Sequence, residues 1–155
     1  MLWKRTALLL LGIGTVDLFP VSGNSQPAQP TAVDLLVGSW DPGGAAFYDQ
    51  DLTVERHTLT MGDCRHIHYK VIRDQSGHGH GPSSLKTNEG GVWREITIEL
   101  IPSNALQAQC LKWRVMDFSI PADMQQHADI ALFRNRADFD KDSDYIGWGV
   151  WGKSP

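Results

Sequence analysis

The feature that most limits what this chain can become is a side-chain period of two, repeated in short stretches and broken by turn residues. Leu52 and Val54, then Leu59 and Met61, interleave with Thr53, Glu55, His57 and Thr58, which predicts a short strand, a turn near Arg56 and His57, and a second strand. Ile67, Tyr69 and Val71 alternate with His66, His68 and Lys70. Ile96, Ile98 and Leu100 alternate with Glu95, Thr97 and Glu99, and Leu111, Trp113 and Val115 with Lys112, Arg114 and Met116. Ile130 and Leu132, then Ile146, Trp148 and Val150, carry the pattern to the end. Successive side chains of a strand point to opposite faces, so each stretch offers one apolar flank and one wet one. Glu95 and Glu99 fall on the wet flank. Between the stretches lie DPGG (41–44), SGHGHGPSS (76–84), NEGG (88–91), IPSN (101–104) and IPAD (120–123), all turn or breaker clusters. No long apolar repeat of 3.6 follows the N-terminal segment. The pattern predicts an all-β fold of about seven or eight strands, an antiparallel up-and-down barrel whose closure removes exposed edges, with a β-sandwich as the alternative.

At 155 residues the chain is long enough for one domain with a real core. A net charge of -4 gives no electrostatic reason to bind nucleic acid. Lys4 and Arg5 precede an apolar run from Ala7 to Val16 that is broken by Asp17 and Pro20. That run is about half of the roughly 20 residues a membrane-spanning helix needs. Residues 1–23 therefore read as a signal peptide, cleaved near Gly23 and Asn24, with a short buried helix or an uncleaved anchor as the alternatives. The mature chain is expected to carry no transmembrane segment and to be secreted or periplasmic. Residues 24–34 (NSQPAQPTAVD) are polar, with two prolines and no periodicity, and read as a flexible linker before a single β domain at 35–155.

Two cysteines in an exported chain most simply form one disulfide, Cys64 to Cys110, because the compartment is oxidising. A reactive or metal-binding thiol is the alternative, and no C-x-x-C spacing supports it.

The segment DLLVGSWDP (34–42) resembles the opening G-x-W of lipocalin-like, calycin-type barrels, with Gly38 and Trp40 in the matching places. The resemblance implies a barrel whose first strand starts over a tryptophan closing one end, and an internal cavity suited to an apolar ligand. The DPGGAAFYDQ that follows departs from it by interrupting the first strand.

Three groups of residues could carry chemistry. His66 and His68 are two apart on an expected strand, where both imidazoles would face one way, and His78 and His80 could join them from a glycine-rich loop to hold zinc or copper. Solvated histidines on a polar flank are the plainer reading. In the run from Asp138 to Asp144, the alternate carboxylates fit a calcium loop except that Ser143 replaces its glycine and Gly149 its glutamate, which leaves an acidic surface turn. The aromatic group Tyr145, Trp148 and Trp151, with Trp93 and Trp113, could stack a planar ligand. Ile146, Trp148 and Val150 fit an inward core face more simply, which leaves Trp151 pointing out. No nucleophile elbow, zinc-protease helix, P-loop or dinucleotide fingerprint occurs.

The sequence thus favours an exported, non-enzymatic binding protein without a cofactor. Its expected task is to hold a small apolar molecule among Trp113, Trp148, Ile96 and Ile98, or to dock an envelope protein through loops. A metal-binding protein using His66, His68, His78 and His80 is the alternative, and a hydrolase with spatially assembled carboxylates is a third.

Overall fold

Eight strands, seven at the alternating stretches and one at Gly38–Pro42, form in a computed structural model that describes residues 28–42, 51–77, 92–141 and 145–154, apart from the side chains of Tyr145 and Trp148. The expected signal peptide, His78, His80 and residues 142–144 lie outside the described residues. The strands are β1 (Gly38–Pro42), β2 (Leu52–Val54), β3 (Thr58–Met61), β4 (Cys64–Ser76), β5 (Trp93–Ile101), β6 (Val115–Pro121), β7 (His127–Phe133) and β8 (Tyr145–Lys153). Each pairs antiparallel with the next in sequence, and β8 returns to β1 through Trp40 and Lys153, so the sheet is a closed up-and-down barrel. The β2 and β3 stretches and the turn between them fall where the alternation put them. Between β3 and β4, Gly62 takes φ of 53°, the conformation a two-residue hairpin turn requires and glycine adopts without cost.

Among the described residues three short helices accompany the strands: α1 (Ala32–Leu36), α2 (Ala105–Cys110) and α3 (Arg136–Asp140). Each is too short to leave an apolar repeat of 3.6, and each starts at a side chain that caps it. Thr31 accepts from the Asp34 amide while Asp34 accepts from the Thr31 amide, a capping box, and the Thr31 hydrogen bonds hold the Asp34 carboxyl below its usual range. Asn104 and Asn135 accept from the Gln107 and Asp138 amides. The domain boundary expected at Leu35 falls inside α1, because this box orders residues placed in the linker and Ala32, Leu35 and Leu36 are buried. Asp138 and Asp140 lie on α3, Asp140 paired with Arg136 at 2.8 Å, so they do not occupy the extended calcium-loop spacing.

The interior is built from Leu52, Val54, Leu59, Met61, Ile67, Ile96, Ile98, Leu100, Met116, Phe118, Ile130 and Leu132, with Trp40 and Trp151. Three expected phases are corrected. The alternation of β4 holds through Tyr69 and then slips at a bulge between Val71 and Arg73, leaving Val71 36% exposed and turning Ile72 to the outer side of the sheet. Leu111 and Trp113 pack in the core ahead of β6, whose Met116 faces inward while Val115 joins the outer cluster, because α2 occupies the place of a continuous strand. Trp151, expected outside, is 1% exposed and packs in the core, whereas Trp148 pairs through its backbone with Ala131 of the outer cluster.

Candidate functional site

The interior of an eight-stranded barrel is just wide enough to be filled by side chains or to hold one small ligand. Here Leu36, Trp40, Leu52, Ile67, Ile96, Ile98, Met116 and Phe118 each retain 0% of their accessible surface. A void large enough for water beside any of them would leave them surface, so these walls touch one another. Trp40 is fixed from several sides. Its Nε1 donates to Leu36 O at 2.8 Å, Phe118 packs against its ring, and the Lys153 ammonium lies 5.2 Å from the ring centroid while donating to Leu35 O. Gly38, at φ of 141°, lets Lys153 pass where any side chain would collide with it. The G-x-W residues thus form a seal made of α1, β1 and β8.

Of the residues expected to line a ligand cavity, Ile96, Ile98 and Trp113 lie in this core and Trp148 has no described side chain. A cleft of about 170 Å³ lies outside the seal, among Pro30, Leu35, Val92, Arg94, Ile120 and Ala122. None of the expected ligand residues lines it. It is smaller than the roughly 300–1,000 Å³ of typical small-molecule sites. Arg94 in its wall makes a two-pronged pair with Asp74 at 2.7 and 2.9 Å and donates to Pro30 O. Those Arg94 hydrogen bonds hold the Asp74 carboxyl below its ordinary range. The arginine is thereby committed to the fold.

On the flank of β5 expected to be wet, Glu95 and Thr97 are buried and Glu99 is half-buried. Two cross-strand rows run over the outer face. One passes from Gln75 through Glu95 and Ser119 to Asp129, the other from Arg73 through Thr97 and Asp117 to Ala131. Glu95, Thr97, Asp117, Ser119 and Asp129 are all buried. A buried carboxylate costs several kcal/mol unless charge and hydrogen bonds offset the lost water. Glu95 accepts from Arg73 at 3.0 Å and from Gln75 at 3.2 Å, and Asp117 accepts from the Thr97 hydroxyl at 2.6 Å. Phe139 of α3 covers one end, stacked edge-on against Phe133 and beneath the Arg73 guanidinium at 4.5 Å. The sequence held one sign of this cover. Phe139 is an apolar side chain inside an otherwise acidic run. That Glu95 and Thr97 lay beneath cover could not be read from their own strand, which shows ordinary alternation.

Cys64 and Cys110 are joined as a disulfide, their Cα atoms 5.7 Å apart. His66 and His68 are exposed on β4 beside it. His66 takes φ of 52°, which interrupts the extended backbone on which the same-face arrangement of the two imidazoles was argued. Among the described residues no group of three or more His, Cys, Asp or Glu side chains could hold a metal ion. Also among the described residues, no helix is long and apolar enough to cross a membrane. No family model, curated protein or solved structure matches this chain.

Proposed function

We propose that the protein is an exported, non-enzymatic binding module of lipocalin-like build that acts by docking a protein partner on its surface. The observation that carries this reading is the complete burial of the inward side chains of Ile67, Ile96, Ile98, Met116 and Phe118, where a carrier of apolar molecules needs an open chamber. The disulfide accords with an oxidising compartment outside the cytoplasm. Gly38 and Trp40 support the lipocalin-like reading through their place at the closed end of the barrel. Native mass spectrometry tests this reading on the full chain, expressed with its N-terminal segment in a bacterial host and recovered from the periplasm or medium. The expected species is a shortened chain lacking two thiol hydrogens and carrying no adduct. A small apolar molecule that stays bound would overturn the docking reading in favour of a carrier, and retention of the whole chain in the cytoplasm would overturn export.

A further inference from the structure

Helix α2 contributes no buried side chain to the core. Ordering a residue costs about 1–2 kcal/mol of backbone entropy, which burial normally offsets. Here other bonds hold the helix. Cys110 at its end is tied to Cys64, the Gln107 side chain donates to Arg65 O at 3.0 Å and His66 O at 3.3 Å, and it accepts from the Ser103 amide. A glutamine clamp and a cross-link thus fix a helix that presents Leu106 with 78% of its surface exposed. Ile101, opposite His68 at the end of β5, is exposed nearby.

Two cations stand exposed around this surface. Arg65, His66, His68 and Lys112 are exposed, and neither Arg65 nor Lys112 makes an ion pair among the described residues. Other cations are paired, Arg56 with Asp34, Arg73 with Glu95, Arg94 with Asp74, Arg136 with Asp140 and, at the margin of this surface, Lys70 with Glu99, while Arg134 and Lys141 beside α3 are exposed without an ion pair among the described residues. Helix α2 carries no carboxylate, and Asp63 stands at the adjoining turn. This face therefore sets an exposed arginine and lysine, unpaired among the described residues, beside two exposed aliphatic side chains.

We propose that α2, the start of β4 and the end of β5 form the docking face, and that its partner is a protein presenting an acidic segment with apolar side chains between the carboxylates. This rests on the reading that the module works through a protein partner. Charge complementarity selects that partner, since free cations steer acidic surfaces and exposed leucine and isoleucine supply area to bury.

The probe is a synthetic, fluorescently labelled peptide of alternating glutamate and leucine, titrated by anisotropy against the full disulfide-bonded protein. The wild type is expected to bind, more weakly as salt is raised. Arg65→Glu with Lys112→Glu should weaken it roughly tenfold, since two attractive contacts become repulsive ones. Leu106→Ser should also weaken it, with the salt dependence kept. All these side chains are exposed, so unchanged thermal unfolding shows that the variants remain folded. No binding by the wild type, or equal binding by the charge-reversed variant, overturns the proposal. So does preferential binding to phosphatidylglycerol vesicles lost in the same variants, which would assign the face to an anionic membrane. An adduct in the native mass spectrum would sink the docking reading itself, whereas indifference of the peptide to these variants sinks this face alone.

Discussion

Helices α1 and α2 are nearly the same length and both lie against the barrel wall, yet they are held by different physics. Helix α1 puts Ala32, Leu35 and Leu36 into the core, above the Trp40 indole that donates to its last turn. Burying one leucine is worth roughly 1.5–3 kcal/mol, so α1 is held by the force that holds the interior. Helix α2 has no fully buried side chain and is held by a cross-link between residues 46 positions apart and by one glutamine side chain. In the chain-entropy account, closing a loop of that size contributes about 4 kcal/mol, and it acts on the unfolded chain. The contrast teaches what each end is free to do. A helix that supplies core cannot change its surface without disturbing the fold, while one held by its end and its clamp can present any side chain outward.

If that contrast is right, the largest loss comes from the buried end. Trp40→Ala should cost about 3–5 kcal/mol of global stability, read as a lowered urea midpoint, since it empties a space that Phe118 and Leu36 cannot fill. A loss under about 1 kcal/mol would mean that α1 is not part of the core.

The second experiment separates the two ends. Replacing Cys64 and Cys110 by serine should lower stability by about 2–5 kcal/mol. In amide hydrogen exchange it should expose the Ala108 and Leu111 amides of α2 while leaving Leu35 and Val37 of α1 protected. Loss of protection at both ends together would show that the helices form one cooperative unit.

The smallest effect tunes the seal. Burial lowers the Lys153 ammonium from its ordinary value of 10.5. Below that value and above the lowered one, the unfolded chain binds the proton more readily than the folded chain, so this group makes stability rise with pH through the window. Lys153→Met should remove the rise, and the stability difference between wild type and variant should therefore grow in favour of wild type as pH approaches 10.5. A difference independent of pH would mean that Lys153 is as well solvated in the fold as in the open chain.

Much of the barrel was legible because alternation is local. Ile96, Ile98 and Leu100 face inward as read, and the β2 and β3 stretches lie where their pattern placed them. The cysteine pairing was legible because only one intramolecular pairing exists for two thiols. Phase was lost wherever backbone geometry left the extended form. The bulge after Val71 slips the register, and α2 separates Leu111 and Trp113 from the strand they were assigned to. The proposed docking face left little linear trace, because strand pairing and the cross-link bring Arg65 to the segment that holds Ile101, Leu106 and Lys112.

Sequence by itself determined the kind of structure: short strands of period two joined by turns, which stabilise one another only as an antiparallel sheet, with a cysteine pair available to tie it. Tertiary structure alone decided three things: that the described inward side chains pack into one core, that Glu95 and Thr97 on the polar flank of β5 are covered, and that α2, tied to β4, turns its leucine outward. The reason is one of range. A strand's periodicity is set by its own backbone, whereas exposure depends on which distant segments come to rest against it.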